Sequence, residues 1–347
     1  MFLNFIILIT SFLVGIFTLI KLVNNFYDKN ITSQKINIET RIRWGDSKKS
    51  HLGGLSFLFS LLSTNIIIFI FFREFFLEHY NDFIFFSSII ILSGFFGFLD
   101  EKYSYKPFEK IILQLIIAVL LVVNDKIIHF SPNEAINISV SIFYYLAIFN
   151  ILNMFDNIDL GLSSIAIPMI VFFMLFDTNQ ANFIILLTFF SSLIAFSYFN
   201  FFPSKIFMGD IGSFQIATML AAISVEAFWT DFEYNGYISS LFQLGLHNFI
   251  FLLPITDFVI VSIIRLSDGK SIFTGDTNHI SHVFNLKLKN ANYLGLLFLI
   301  VTIGLGIIYF YYYKGIVSGQ YNLLNLIIMY FAFISLTYYL YKSVKND

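Results

Sequence analysis

Residues 182–202 read NFIILLTFFSSLIAFSYFNFF, a run of 21 residues that contains no charged side chain. A helix rises about 1.5 Å per residue, so a run of this length crosses the ~30 Å hydrocarbon core of a bilayer. The whole chain has a similar character, with 47 Phe, 19 Tyr and only 12% charged residues. The sequence therefore predicts an all-α integral membrane protein rather than a soluble domain.

Eleven apolar runs of this kind predict a polytopic helical bundle, and ten is the competing count because the runs that start at 110 and 162 are weak. The predicted spans cover residues 2–23, 53–72, 83–99, 110–124, 138–155, 162–176, 182–202, 213–228, 244–264, 292–313 and 322–341. No internal repeat or Pro-rich linker divides them. We therefore expect residues 1–347 to form a single membrane domain.

The basic residues are distributed unevenly between the predicted loops. If the first helix starts outside, 17 of the 20 Lys and Arg residues lie on the inner side. Inner loops of membrane proteins carry an excess of Lys and Arg, so this split predicts an outer N-terminus. The net charge of −2 gives no support to nucleic-acid binding, and the absence of Cys excludes disulfides and thiolate metal sites.

One inner loop joins two carboxylates to a basic helix. Asp100 and Glu101 end a predicted span, and Lys110 follows on the next helix. This combination suits acid–base catalysis at a phosphate, or metal binding. An ordinary charged turn at the membrane interface is the alternative.

A second inner stretch, NILNMFDNIDLG (150–161), places polar side chains at three-residue steps. These are Asn150, Asn153, Asp156 and Asp159. Three residues turn a helix by about 300°, so the four side chains converge only if the helix stops near Asp156 and opens into a loop. Polar clusters are costly in a bilayer, which favours a functional role over a solvated loop that caps the next helix through Asp159.

Two further inner segments carry candidate ligands. In KIFMGDIGSF (205–214), Asp210 lies between two glycines just before an apolar helix, which suits a Mg²⁺ that bridges phosphates. The alternative is a simple loop that caps the helix after it. In GDTNHISH (275–282), the spacing groups Asp276, His279 and His282 on one helical turn, which suits contact with phosphate or sugar. The same spacing also allows a zinc site or a structural pair of histidines.

The segment HLGG (51–54) begins the second predicted span. Its glycines predict close packing against a neighbouring segment, and we interpret the segment as structural.

Together, the order and spacing of these motifs resemble the polyprenyl-phosphate N-acetylhexosamine-1-phosphate transferases, in the undecaprenyl-phosphate N-acetylglucosamine-1-phosphate transferase-like branch of glycosyltransferase family 4. The resemblance extends from HLGG to HISH, and the family's Phe-Met-Gly-Asp-x-Gly-Ser motif is complete. The departures are Glu101 for an aspartate, Asn157 and Leu160 for glycines, and Thr277 for an arginine. Asn tolerates a positive φ, so we expect Asn157 to keep the backbone shape.

The resemblance implies transfer of a sugar-1-phosphate, such as N-acetylhexosamine-1-phosphate, from a UDP-sugar to polyprenyl phosphate, with release of UMP. It implies a multi-pass enzyme whose active site faces the cytoplasm at the inner membrane and initiates a surface glycan such as O-antigen. A homodimer is possible. The implied cofactor is Mg²⁺ or Mn²⁺ at Asp210. The implied catalytic residues are Asp100, Glu101, Asp156, Asp159 and His279, and the implied substrate-binding residues are Lys110, Asn150, Asn153, Phe207, Asp276 and His282.

Two other functions remain open. A phospho-N-acetylmuramoyl-pentapeptide transferase belongs to the same family, but that branch has three adjacent histidines where this chain has HISH. An ion-coupled transporter also places carboxylates in a helical bundle, usually near its midplane and in two related halves. The motifs leave open whether transfer takes one step or two.

Overall fold

The computed structural model describes residues 2–28, 49–177, 179–229, 234–271, 277–317 and 323–346. The regular structure in these ranges is helical, apart from one isolated parallel bridge. The α-helices are α1 (Phe2–Asp28), α2 (Leu55–Phe71), α3 (Arg73–Glu78), α4 (Tyr80–Tyr103), α5 (Pro107–Val123), α6 (Glu134–Phe155), α7 (Gly161–Phe176), α8 (Gln180–Asn200), α9 (Gly209–Trp229), α10 (Tyr237–Asn248), α11 (Leu252–Ser267), α12 (Ile280–Leu288), α13 (Ala291–Val317) and α14 (Leu323–Asn346). The predicted all-α membrane fold is confirmed.

All eleven predicted spans overlap helices in the described ranges, and the ninth covers α10, α11 and the short 3₁₀ turn between them. Eight helical stretches of the described chain are long and apolar enough to cross a membrane, and α2 and α7 are shorter apolar helices. The protein is therefore a multi-pass membrane protein. The count of eleven and the outer N-terminus remain predictions.

Helix α9 forms the centre of the bundle. Nearly all of its residues are buried, and it packs against α4, α6 and α7. Gly97 on α4 permits the closest of these approaches, because a Cβ there would lie 2.2 Å from the carbonyl oxygen of Asp210. Asp100 follows Gly97 by about one helical turn, so this crossing brings its carboxylate to the N-terminal end of α9.

A polar network lies at the opposite end of α9 from the motif loops. Glu226 pairs with Lys126 at 2.7 Å and accepts a hydrogen bond from Asn179 Nδ2 at 2.9 Å. Asn182 Nδ2 donates to Asp177 Oδ2 at 2.7 Å. Burial raises the pKa of Asp177 to about 6, even though Asn179, Asn182 and Lys126 stabilise its ionised form; the charge of Glu226 adds to the increase.

The raised pKa of Asp177 predicts a pH-dependent stability. Between pH about 4 and about 6 the folded chain holds a proton that the unfolded chain releases. This contribution to stability is present at low pH and is lost as the pH rises through about 6. We expect Asp177→Asn to reduce the fall in Tm of the detergent-solubilised protein between about pH 5 and about pH 7.5.

The matched control for this measurement is Asp125→Asn, because Asp125 is exposed on the loop after α5. Its Tm should follow that of the wild type at both pH values. An identical fall in Tm for the wild type and Asp177→Asn would contradict the prediction.

Candidate active site

The segments HLGG and FMGD lie directly against each other. The amide of Gly53 donates to the carbonyl oxygen of Phe207 at 3.0 Å, and the amide of Gly54 donates to that of Met208 at 2.9 Å. A Cβ on Gly54 would lie 2.2 Å from the backbone nitrogen of Gly212. The predicted close packing of HLGG is confirmed, and its partner is the loop that carries Asp210.

Two carboxylates and one ammonium group meet at the N-terminal end of α9. Lys110 Nζ lies 2.6 Å from Asp100 Oδ2 and 3.8 Å from Asp210 Oδ2. Both carboxylates are buried, whereas 26% of the Lys110 side chain is exposed. The structure thus brings together three residues that the sequence distributes over three helices.

Glu101 connects this cluster to HLGG. Its Oε2 accepts a hydrogen bond from the amide of Asp210 at 3.2 Å, and its Oε1 lies 3.3 Å from Nδ1 of His51. The first amides of a helix have no partner within the helix, so Glu101 on α4 acts as a cap for α9. The His51 ring also contacts Phe207, with ring centroids 5.2 Å apart.

The helix that carries the start of the second motif ends where the sequence predicts, since α6 ends at Phe155. Asn150 on α6 and Gln114 on α5 exchange hydrogen bonds of 2.7 and 3.3 Å between their side-chain amides. Asn153 Nδ2 donates to Ser213 Oγ at 2.8 Å. Both asparagines therefore hold the C-terminal end of α6 against the neighbouring helices α5 and α9.

Beyond α6, the loop forms one wall of a cavity. The lining residues are Asp156, Asn157, Ile158, Asp159, Asn200, Phe207 and Met208. Asp159 Oδ1 accepts a hydrogen bond from Ser204 Oγ at 2.9 Å, and Lys49 Nζ contacts that hydroxyl at 3.1 Å. Burial raises the pKa of Asp159, while Ser204 and Lys49 favour its ionised form.

The backbone of this loop corrects one expectation. Leu160, rather than Asn157, adopts a left-handed conformation, with φ 62° and ψ 0°. That conformation costs a residue with a Cβ about 1–2 kcal/mol. The amide of Leu160 donates to Asn200 Oδ1 at 2.7 Å, and Gly295 on α13 leaves room for its side chain. These contacts hold the loop in a shape that glycine would adopt more easily.

The histidine loop is anchored by a residue that the sequence analysis missed. Asp257 lies on α11, and its Oδ2 is 2.7 Å from Nδ1 of His279. Its Oδ1 accepts a hydrogen bond from the amide of Ile280 at 2.7 Å. Arg265 Nη2 lies 3.5 Å from His279 Nε2, and all of these side chains are buried. An aspartate inside an apolar predicted span is itself a signal of function, and it could have identified Asp257.

The other histidine-loop residues are only partly described. His282 is buried, with its ring centroid 6.0 Å from that of His279. Asp276 lies outside the described residues. In the described chain, no group of three or more His, Cys, Asp or Glu residues is placed to hold a metal ion.

Asp100 and Asp210 nevertheless fit a hard divalent cation. Mg²⁺ prefers oxygen ligands and is usually bound by one or two carboxylates together with substrate phosphates. The two buried carboxylates supply such ligands, and each lies within 4 Å of the same Lys110 ammonium. A third protein carboxylate is not required when a diphosphate completes the coordination.

Comparison with known proteins finds a family and several relatives that parts of this chain resemble. Residues 83–228 match the family described as Glycosyl transferase family 4, and this range contains Asp100, Asp159 and Asp210. The chain is 29% identical to a phospho-N-acetylmuramoyl-pentapeptide-transferase of Streptococcus pyogenes serotype M5 (strain Manfredo), over 65% of this chain and 73% of the relative. It is 25% identical to the protein of the same name from Streptococcus sanguinis (strain SK36), over 80% and 86% of the two chains. The chain is therefore similar to glycosyl transferase family 4 over residues 83–228, and it is a membrane phosphotransferase.

Proposed function

We propose that the protein transfers a sugar-1-phosphate from a UDP-sugar to polyprenyl phosphate and releases UMP. The observation that carries this proposal is the convergence of Asp100, Lys110 and Asp210 at the N-terminal end of α9. The cavity that contains Asp159 and Phe207 adjoins this cluster through the FMGD segment. We assign the phosphates to the carboxylate cluster and the nucleoside to the loop that lines this cavity.

The reaction joins two anions, so charge neutralisation and alignment are its main requirements. An oxygen of the lipid phosphate attacks the β-phosphorus of the donor, the bond from this phosphorus to the UMP oxygen breaks, and UMP leaves. Lys110 is partly exposed beside the carboxylates, so its ammonium can neutralise a phosphate oxygen. Asp100 orients the acceptor, which is already largely ionised near neutral pH and needs little help from a base.

Enzymes of this family use a divalent metal ion, and we propose Asp210 as its main ligand with Asp100 close enough to share it. Mg²⁺ or Mn²⁺ supplies charge neutralisation for the diphosphate when it is bound. Glu101 holds the amide of Asp210, which fixes the start of α9 beside the ion site.

On the nucleotide side, we propose that the uracil ring packs against the Phe207 ring, which His51 and Lys49 also contact. Asp156 and Asp159 contribute polar groups to the same cavity. Asn150 and Asn153 bond to other side chains of the protein, so we propose that they position α6 for substrate binding. Contact of the histidine loop with phosphate or sugar, including His282 and Asp276, remains a proposal.

The proposed setting is the cytoplasmic face of the inner membrane, where a lipid phosphate and a soluble nucleotide meet. The proposed donor is a UDP-N-acetylhexosamine, and the product initiates a surface glycan. The names of the relatives favour a second candidate donor, UDP-N-acetylmuramoyl-pentapeptide. An ion-coupled transporter is disfavoured because the motif residues gather at one end of α9.

The proposal predicts a two-substrate, metal-dependent reaction. Membranes that contain the protein should release UMP from a UDP-sugar only when polyprenyl phosphate and Mg²⁺ are both present. A chelator should abolish the release, and Mg²⁺ or Mn²⁺ should restore it. A panel of UDP-sugars from which neither the wild type nor Asp210→Asn releases UMP would overturn the proposed function.

A further inference from the structure

A lysine just before HLGG reaches the cavity that Asp159 and Phe207 line. Lys49 Nζ lies 5.2 Å from the centroid of the Phe207 ring, within the range of a cation–π contact. It also donates a hydrogen bond to Ser204 Oγ at 3.1 Å, and the same hydroxyl donates to Asp159 Oδ1 at 2.9 Å. Lys49 is therefore connected to two residues of the cavity wall, to one directly and to the other through a single hydroxyl.

The backbone around this lysine is held in place. Its neighbour Ser50 forms the isolated parallel bridge with Ile206. The carbonyl oxygen of Ser50 accepts a hydrogen bond from the amide of Phe207 at 2.9 Å, and the carbonyl oxygen of Ile206 accepts one from Asn200 Nδ2 at 2.8 Å. The long lysine side chain thus starts from a backbone position that is fixed beside the cavity wall.

The ammonium group of Lys49 has donors to spare. An ammonium carries three N–H donors and no acceptor. In the part of the chain that the structure describes, the Ser204 hydroxyl takes one of these donors, and no other described side chain or carbonyl accepts from Lys49. The lysine is only half-buried. Its remaining donors are therefore accessible to a ligand in the cavity.

The charges around the cavity create a need for a cation when the ligand is a nucleotide. Asp156 and Asp159 both line the cavity, and two carboxylates repel a phosphate. An ammonium offsets this repulsion and makes charge-assisted hydrogen bonds to phosphate oxygens, which are stronger than those between neutral groups. Lys49 is placed to do both, because it adjoins Asp159 through Ser204.

We propose that Lys49 binds the α-phosphate of the UDP-sugar, the phosphate that departs in UMP. This inference rests on the proposed function and deepens it, because it gives the phosphate next to the nucleoside a cation separate from Lys110. When the bond from the β-phosphorus to the bridging oxygen breaks, the electron pair stays on that oxygen and the negative charge on UMP increases. The ammonium of Lys49 stabilises this charge in the transition state.

The test compares the binding of UMP and uridine, which differ only in this phosphate. Isothermal titration calorimetry of the detergent-solubilised protein in Mg²⁺ gives the Kd for UMP, and displacement of UMP gives the Kd for uridine. In Lys49→Met the side chain keeps its length and can still pack against the Phe207 ring, but it has no ammonium. We expect the Kd for UMP to rise by about tenfold, equivalent to about 1.4 kcal/mol, and the Kd for uridine to stay the same. Lys49→Arg keeps a cation that binds phosphate and should retain most of the preference for UMP.

The matched control is Lys205→Met, because Lys205 follows Ser204 in the same loop and is exposed. Its ratio of the two Kd values should equal that of the wild type. Damage to the cavity weakens both ligands together, so an unchanged ratio in Lys49→Met would overturn the assignment even if both Kd values rise. Equal Kd values for UMP and uridine in the wild type would also overturn it. Failure of the wild type to bind UMP at all would instead overturn the proposed function, and the role of Lys49 with it.

Discussion

Replacing Asp210 with Asn is expected to lower the rate of UMP release by about 10²- to 10³-fold, the scale on which one preorganised charge-stabilising group acts. The substitution removes a buried negative charge that lies 3.8 Å from Lys110, while the side chain keeps nearly the same volume. The backbone amide that donates to Glu101 is unchanged, so the start of α9 should stay in place. The loss should therefore appear as weaker metal dependence and slower turnover in a folded protein.

Asp125→Asn is the matched control, since it makes the same chemical change at an exposed position. Asp125 has φ 59°, a conformation that Asn tolerates well. UMP release should be unchanged in this variant, and both variants should elute as the wild type does in size-exclusion chromatography. Equal rates for wild type and Asp210→Asn at saturating Mg²⁺ would show that Asp210 does not hold the metal.

Replacing Gly54 with Ala is expected to have a large effect on stability. The added Cβ would lie 2.2 Å from the nitrogen and 2.4 Å from the Cα of Gly212. Both are backbone atoms in the first turn of α9, so they cannot rotate away as a side chain could. The HLGG segment must separate from FMGD, which also stretches the bond from the Gly54 amide to the carbonyl of Met208.

We expect this overpacking to cost about 1–3 kcal/mol or more. The Tm in detergent should fall by several degrees, and UMP release should fall with it because the segment borders the carboxylate cluster. Gly304→Ala is the control, because a Cβ at Gly304 on α13 meets nothing within 4 Å. Alanine there should leave the Tm unchanged or raise it slightly. A Tm for Gly54→Ala equal to that of Gly304→Ala would contradict the prediction.

The helices and the ends of the motif loops could be predicted from the sequence because both depend on local features. Apolar runs mark the spans, and the three-residue steps after Asn150 require the helix to stop where α6 does stop. The convergence of Asp100 with Asp210 could be expected only from the resemblance. Its physical cause is the contact of Gly97 with the backbone of Asp210, which no local pattern reveals.

Other parts of the site could not be predicted because they depend on partners distant in sequence. Leu160 keeps a left-handed backbone through Asn200 and Gly295, which lie on two other helices. The network pairs Glu226 on α9 with Lys126 and Asn179 from two separate loops, and no motif marks them. The conformational propensity of Asn predicts a positive φ at Asn157, whereas in the structure the positive φ is at Leu160, where tertiary contacts stabilise it.

Glu101 shows how one methylene group can decide what a carboxylate contacts. Its side chain extends from α4 to the amide of Asp210, and its second oxygen meets His51. An aspartate, as in the motif that this segment resembles, is one methylene shorter, so we expect it to lose one of the two contacts. We therefore expect an aspartate introduced at this position to weaken the contact between α4 and the start of α9 or the contact with His51.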